Sequence, residues 1–166
     1  TKDAKNLKIV NLKWKIFKSA LEMKPDLKFN NLEQLDLSNN DINDEIVLSI
    51  NKLLFSRTPK LTKIDLSDNK IGAKGTIAIA LISNLTTLRL SWNQIGDAGS
   101  RTVAESLHMK SLQSLSLCGN QIKDNGATAL IQSRHMNSLI ILHLWGNQIK
   151  EDIRARLRQV YRNCKI

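Results

Sequence analysis

The chain has 166 residues, enough for one domain with its own core, and a formal net charge of +10. No run approaches the ~20 apolar residues of a membrane-spanning helix, and no signal peptide is recognisable, so the sequence argues against a membrane protein. With only two cysteines, Cys118 and Cys164, a disulfide-rich fold is excluded and a reducing, cytoplasmic setting is favoured.

The positive charge is concentrated at the two ends of the chain. Residues 1–28 carry eight Lys against three acidic residues, and residues 150–166 carry six basic against two acidic residues. The middle is close to neutral, with eleven basic and ten acidic residues. This distribution favours solvated ends over a nucleic-acid groove, because a groove would place cations along its lining.

One pattern recurs through most of the chain: Leu, two variable residues, Leu or Ile, one variable residue, Leu, two variable residues, Asn, one variable residue and Ile. Its five intact copies are spaced by 24 to 29 residues and begin at Leu32, Leu61, Leu85, Leu112 and Leu139. The alternating leucines predict a short strand with one buried face. One strand and one helix in a repeat of this length are typical of a solenoid.

Residues 1–31 are predicted to form a degraded first repeat. Its strand is expected over residues 7–12, and an amphipathic segment follows it. Lys15 stands where the other copies have Asn, and Phe17 stands where they have Ile.

Residues 32–149 are predicted to form five regular repeats, each with a strand followed by a helix. Asn43 and Asp44 precede an apolar run with helical spacing. Asp97 and Asp124 stand where the N-cap of a helix belongs, ahead of alanine-rich amphipathic runs.

Each intact repeat also carries one Asn just after its strand. A polar amide among core residues must find partners, so it is expected to bond backbone groups left free where the chain leaves the strand. We therefore interpret these residues as a structural ladder: Asn40, Asn69, Asn93, Asn120 and Asn147.

Residues 150–166 are predicted to form a C-terminal capping helix. Its apolar residues have helical spacing, as in Ile153 and Leu157. The strand before it is unusually apolar, and the helix is the candidate to cover Ile140 and Ile141.

Together these residues resemble the ribonuclease-inhibitor-like class of leucine-rich repeat, which is also found in NOD-like receptors. The resemblance includes the turn Ile95–Gly99, which reads Ile-Gly-Asp-Ala-Gly. It implies an α/β solenoid, a horseshoe arc of about six repeats with parallel strands on the concave side and helices on the convex side. Such a motif is specific for the fold and says little about function.

The sequence contains no recognisable catalytic, metal or cofactor motif. The three histidines have no Cys or carboxylate at metal-ligand spacing, and no phosphate-binding loop is present. A reactive Cys118 with His143 as its base is a minor alternative. The sequence therefore predicts neither an enzyme nor a metal or cofactor site.

The repeat pattern predicts which side chains project from the concave face. All three tryptophans fall at these positions: Trp14, Trp92 and Trp145. Exposed tryptophan is typical of an interface hot spot, although partial packing on neighbouring strands is the alternative. The other candidate partner-binding residues are Asp36, Asp65, Asp68, Arg89, Cys118 and His143. The aspartates would repel phosphate and suit a basic segment of a protein.

The sequence thus predicts a monomeric cytoplasmic module that binds a partner protein on its concave face. Two alternatives are a nucleic-acid or ribosome-directed binder using the basic ends, and the substrate-recognition part of a larger enzyme such as a ubiquitin ligase. Lys outnumbers Arg by 17 to 8, and Asn and Ile are abundant, which suggests AT-rich coding. A further hypothesis is therefore a bacterial effector that acts on proteins in the host cytoplasm.

Overall fold

The computed structural model describes residues 7–9, 13–24, 28–54 and 57–166. These residues form a parallel sheet of seven strands in chain order, with one α-helix between each pair of neighbouring strands. The strands are β1 (Leu7–Ile9), β2 (Leu32–Asp36), β3 (Lys63–Asp65), β4 (Thr87–Arg89), β5 (Ser114–Ser116), β6 (Ile141–His143) and β7 (Asn163–Lys165). The helices are α1 (Trp14–Met23), α2 (Asp44–Leu54), α3 (Ala73–Ile79), α4 (Gly96–Glu105), α5 (Asp124–Ile131) and α6 (Glu151–Val160). The predicted α/β solenoid is confirmed.

The leucine positions of the repeat form the core between the sheet and the helices. One row of side chains crosses the sheet in register: Leu35, Ile64, Leu88, Leu115 and Leu142. Each is at most 2% exposed, and burial of one such side chain stabilises the fold by about 1.5–3 kcal/mol. Because side chains alternate along a strand, the residues on either side of this row project away from the helices, on what we call the concave face.

A row of side-chain amides joins successive repeats, and we call it the asparagine ladder: Asn40, Asn69, Asn93, Asn120 and Asn147. Oδ1 of Asn69 accepts hydrogen bonds from the backbone N–H groups of Asn40 at 3.0 Å and Ile42 at 2.9 Å. Its Nδ2 donates to the carbonyls of Leu37 and Leu66. The later members of the ladder bond the repeat before them in the same way. Each amide therefore satisfies backbone groups that would otherwise be buried without partners.

Aspartates cap helices across repeats rather than within them. The prediction that Asp97 and Asp124 cap their own helices is wrong, since both lie inside the first turn. Oδ1 of Asp97 accepts from the N–H groups of Lys123 at 2.7 Å and Gly126 at 3.0 Å, at the start of the next helix. Asp124 accepts from the N–H of Lys150 at 2.9 Å, and this bond is the largest cause of its lowered pKa. A carboxylate is stabilised there by the free N–H groups and the helix dipole.

Helix α4 lacks a carboxylate of this kind from the preceding repeat. Asp44 supplies it to α3, where the N–H of Gly72 donates to Oδ1 at 2.7 Å. The equivalent position in the next repeat is Ala73, whose side chain has no acceptor. At the start of α4 the N–H of Gly96 donates instead to the carbonyl of Asn120 at 2.9 Å.

The first repeat differs from its predicted register. Trp14 begins α1 and is 4% exposed, so its predicted concave position is wrong. Its backbone N–H donates to Oδ1 of Asn40 at 2.8 Å. The backbone N–H of Ile42 makes the same bond to Oδ1 of Asn69 one repeat later. Trp14 therefore occupies the isoleucine position of the repeat pattern, which the sequence analysis had given to Phe17. The described part of the predicted strand is Leu7–Ile9, and residues 10–12 lie outside the described residues.

The C-terminal segment is only partly helical. α6 ends at Val160, and β7 pairs in parallel with β6. Tyr161, Cys164 and Ile166 have the spacing of the three leucine positions, so they begin a seventh copy of the strand pattern. The helix covers neither Ile140 nor Ile141, which are 55% and 37% exposed, because its apolar face packs behind the sheet and not across it.

Candidate binding face

The central row of the concave face changes in chemical character along the sheet. Its members lie side by side in register, from β2 to β7: Asp36, Asp65, Arg89, Ser116, His143 and Lys165. The first two are acidic, and the later ones include three groups that are or can become cationic. This central row therefore has an acidic N-terminal part and a basic C-terminal part, and Lys63 projects from β3 beside the acidic part.

The acidic part is ordered by short-range hydrogen bonds. Oδ1 of Asp36 accepts from the N–H of Ser38 at 3.0 Å and from its hydroxyl at 2.7 Å. Asp65 accepts from the N–H of Ser67 in the same way, and its Oδ2 lies 3.4 Å from a guanidinium nitrogen of Arg89. A shallow groove of about 220 Å³ runs between these strands. Asp68, also predicted as a binding residue, is exposed just beyond β3 and does not line the groove.

In the five intact repeats, one position just beyond the strand has a left-handed backbone. The φ angles are 55° at Asn39, 56° at Asp68, 56° at Trp92, 60° at Gly119 and 72° at Gly146. Asn, Asp and Gly tolerate this region, whereas a bulky side chain there is strained. Trp92 is therefore out of place by residue type at this position.

Trp92 and Trp145 lie together, and we call them the tryptophan patch. Their ring centroids are 5.1 Å apart and the rings are inclined by 77°, an edge-to-face pair. The ring of Trp92 lies directly over Gly119, where an added Cβ would be only 2.4 Å from Cε3. Even so, Trp92 and Trp145 remain 47% and 49% exposed. Packing thus accounts for one side of the pair, and the other side faces solvent.

The outward positions of the last full repeat extend this surface. Ile141, His143 and Trp145 alternate along β6 and its exit, so all three project from the concave face. Sequence reasoning missed Ile141 as a surface residue because it expected a helix to cover it. It missed Lys165 because Tyr and Cys hide the leucine pattern of the seventh strand.

His143 lies among cations. Burial is the largest cause that lowers its pKa below the usual value, followed by the positive charges of Lys165 and Arg89. The positive charges that disfavour the imidazolium form of His143 would favour a bound anion.

Cys118 does not lie exposed on the concave face as predicted. It is 2% exposed, a small side chain in a row between Ser91 and Trp145, and its Sγ lies 3.8 Å from the hydroxyl of Ser116. Burial removes it from the binding surface and from contact with a substrate. The other thiol, Cys164, has its pKa raised to about 11 by burial.

Among residues 7–9, 13–24, 28–54 and 57–166, no three His, Cys, Asp or Glu side chains are grouped so that they could hold a metal ion. In the same ranges no helix is both long and apolar enough to cross a bilayer.

The arginines of α6, which the nucleic-acid alternative would use, are partly engaged within the helix. Nε of Arg154 donates to the carbonyl of Ile149 at 2.8 Å, and Arg158 forms a 2.6 Å ion pair with Glu151. Arg156 of α6 is exposed, as is Arg162, which follows the helix. This surface is a helix face with mixed charge, not a cationic groove.

Known proteins place the fold in context. A family profile described as Leucine Rich repeat matches residues 29–50, 58–80, 82–104 and 108–130, which together are more than half of the chain. No curated protein matches the chain. An internalin of Listeria monocytogenes is similar in structure, with a TM-score of 0.58 and 22% sequence identity. The similarity covers 82% of this chain but 35% of the internalin, and at this identity it bears on the fold alone. The chain belongs to the leucine-rich repeat family.

Proposed function

We propose that the chain is a protein-recognition module whose concave face binds a partner protein through the tryptophan patch. Leucine-rich repeat domains generally mediate protein–protein interactions, and the curved strand face is the extended surface that solenoids offer to partners. The observation that carries the proposal is the left-handed backbone at Trp92 together with its exposure.

The backbone at Trp92 is a cost that the fold does not require. The chain uses Asn, Asp or Gly at the same position of the other intact repeats, and a residue with a bulky side chain in this region costs about 1–2 kcal/mol. Strained residues concentrate at binding and catalytic sites, where the surrounding structure holds them in place. A half-exposed Trp in this conformation is therefore better explained by a ligand than by stability.

Trp14 shows how the same residue type looks when its role is structural. It is 4% exposed, lies in a helix and packs in the core cluster. Trp92 and Trp145 keep about half of their surface in solvent. Large aromatic side chains that remain exposed next to each other are typical of interface anchors.

The test is affinity capture of partner proteins from a eukaryotic lysate, read by mass spectrometry. The disabling variant is Trp92→Asn with Trp145→Ser, because Asn39 and Ser38 occupy the equivalent positions earlier in the same chain. The matched control is Leu81→Ser with Leu107→Ser, which removes two exposed apolar side chains on the helix side. Circular dichroism checks that all three proteins are folded.

We expect a protein that is captured by the wild type and by the helix-side control and is lost with the double tryptophan variant. Removal of two interface anchors should weaken binding by at least a hundredfold, because hot-spot residues contribute about 2 kcal/mol or more each. Capture that survives the tryptophan changes and disappears with the helix-side changes would place the binding surface on the helices instead.

A further inference from the structure

The C-terminal part of the concave face is both apolar and cationic. Arg89 and Lys165 carry permanent charges at its two sides, and His143 lies between them in the same row. No carboxylate occupies an outward position of β4 to β7 or of the turns that follow β4 to β6. The tryptophan patch lies beside this row, at the exits of β4 and β6.

The dimensions suit a short extended peptide. Strands are spaced by about 4.8 Å, so β4 and β7 are about 14 Å apart, the length of four or five extended residues. A segment crossing these strands can place an apolar side chain on the patch and an acidic residue near each cation.

We propose that this part of the concave face binds an acidic protein segment with an apolar anchor. The anchor packs on Trp92 and Trp145, and Asp or Glu carboxylates on the segment pair with Arg89 and Lys165. This inference rests on the proposed function and specifies the chemistry of the partner. It differs from the sequence-based expectation of a basic partner segment, which was drawn from the aspartates at the other end of the face.

The positions of the aspartates are the reason for this difference. Asp36 and Asp65 lie on β2 and β3, and each already accepts a hydrogen bond from a serine N–H beyond its own strand. Oδ2 of Asp65 is directed to Arg89. The exposed aromatic surface lies towards the other end of the sheet, next to the cations.

A single-stranded nucleic acid is less suitable for the same surface. Stacking of successive bases requires ring faces that are roughly parallel, whereas the two tryptophan rings are inclined by 77°. A phosphate backbone continued along the row would also meet Asp65 and Asp36.

His143 gives the bound state a signature. Its strand neighbours in the row are Ser116 on β5 and Lys165 on β7, with Arg89 one strand beyond Ser116; its own outward neighbours Ile141 and Trp145 are uncharged. A bound carboxylate would offset the two positive charges and favour the imidazolium. Binding should therefore raise the pKa of His143 and tighten as pH falls towards its usual range.

The experiment begins with a random twelve-residue peptide library displayed on phage. The library is selected on the wild type and depleted on the Trp92→Asn/Trp145→Ser variant. We expect the enriched peptides to combine Asp or Glu with an aromatic or aliphatic residue within about five positions.

One enriched peptide is then measured by fluorescence anisotropy. Arg89→Gln with Lys165→Gln should lower the affinity for this peptide about fivefold to tenfold, since two exposed ion pairs are removed. Lys52→Gln with Lys74→Gln, a control that removes two exposed lysines from helices, should leave affinity unchanged. NMR titration of the His143 ring should show the pKa rise when the peptide is bound, a readout that a folding defect would not produce.

Three results would overturn the inference. Peptides that depend on the tryptophans but are basic or uncharged would leave the proposed function standing and reject the acidic partner. A twelve-nucleotide oligouridine RNA that binds as tightly as the best peptide, with the same tryptophan and cation dependence, would assign the surface to nucleic acid. If no peptide is enriched and lysate capture is also independent of the tryptophans, the proposed function fails together with the inference.

Discussion

The asparagine ladder and the tryptophan patch are adjacent, yet they relate to the fold in opposite ways. Asn93 is buried, and its amide bonds to backbone groups of two successive repeats. Trp92, the preceding residue, is 47% exposed and has a backbone angle that its residue type disfavours. Neighbouring repeat positions can thus serve stability and recognition separately, and the difference is visible in hydrogen bonds and backbone strain.

The largest expected effect is on the ladder. Asn120→Ala removes a fully buried side chain that donates to the carbonyls of Leu90 and Cys118 and accepts from the N–H of Ile95. We expect the free energy of unfolding to fall by about 3 kcal/mol, because several buried backbone groups lose their partners at once. Urea denaturation measures it, and Asn125→Ala, at an exposed helix position, is the control with little change expected. Equal effects of the two changes would mean that the ladder is not structural.

The second-largest effect on stability is expected where Gly119 contacts the ring of Trp92. Gly119→Ala places a Cβ against the Trp92 ring in a left-handed backbone, and Gly96→Ala has the same φ of 60° with nothing within 4 Å of the new Cβ. Gly96→Ala is the control, and its free energy of unfolding should fall by about 1 kcal/mol because of the left-handed backbone alone. Gly119→Ala should lose more and should shift the tryptophan fluorescence, as Trp92 is displaced. Identical losses and unchanged fluorescence would show that the Gly119 contact does not hold Trp92.

A smaller effect on stability is expected at the patch itself. Trp92→Asn relieves backbone strain but exposes the surface of Gly119 and loses the contact with Trp145, so the two terms oppose each other. We expect the free energy of unfolding to change by less than about 1 kcal/mol, while partner binding is lost. A loss of stability as large as that from Asn120→Ala would give Trp92 a structural role and remove the contrast between ladder and patch.

The smallest effect is on pH dependence. The folded protein lowers the pKa of His143, so the unfolded chain takes up its proton first as pH falls. The contribution of His143 to stability is therefore present above its unfolded pKa, near 6.5, and is lost as pH falls through the folded value. We expect His143→Gln to reduce the loss of stability between about pH 7 and pH 5. Thermal melts at several pH values test this, and an unchanged profile would contradict it.

Much of the fold was predictable because the information is local and repeated. The leucine spacing predicts the strands, and their alternation separates the buried row from the outward one. The Asn position predicts an amide that bonds backbone. Each feature depends on residues within one copy of the pattern, and five copies reinforce it.

The errors arose where one copy deviates or where contacts join copies. The first repeat brings Trp14, not Phe17, to the isoleucine position, and a register shift in β1 accompanies the change. The aspartates cap the following helix, which no single copy can show. The basic part of the concave face includes Lys165, which the sequence analysis missed. Lys165 lies in a copy of the pattern whose first two leucine positions hold Tyr161 and Cys164.

A signal for Trp92 was nevertheless present in the sequence. The equivalent positions hold Asn39, Asp68, Gly119 and Gly146, residue types that favour a left-handed backbone. A Trp in that series could have been identified as strained before the structure was known. Four expectations from the sequence stay predictions: the ribonuclease-inhibitor-like subclass, the cytoplasmic location, the monomeric state and the role as a bacterial effector.

The aspartate caps have a consequence for cooperativity. A helix that is capped by the preceding repeat gains stability only while that repeat is folded, which is nearest-neighbour coupling in a one-dimensional array. Asp44, Asp97 and Asp124 provide such coupling, and Ala73 interrupts it between α3 and α4. Within residues 32–166, the array should therefore separate most readily at that junction, into an N-terminal block and a C-terminal block. In a hydrogen-exchange experiment, the backbone amides of the block that carries Trp92 and Trp145 should then remain protected after the acidic part of the face has opened.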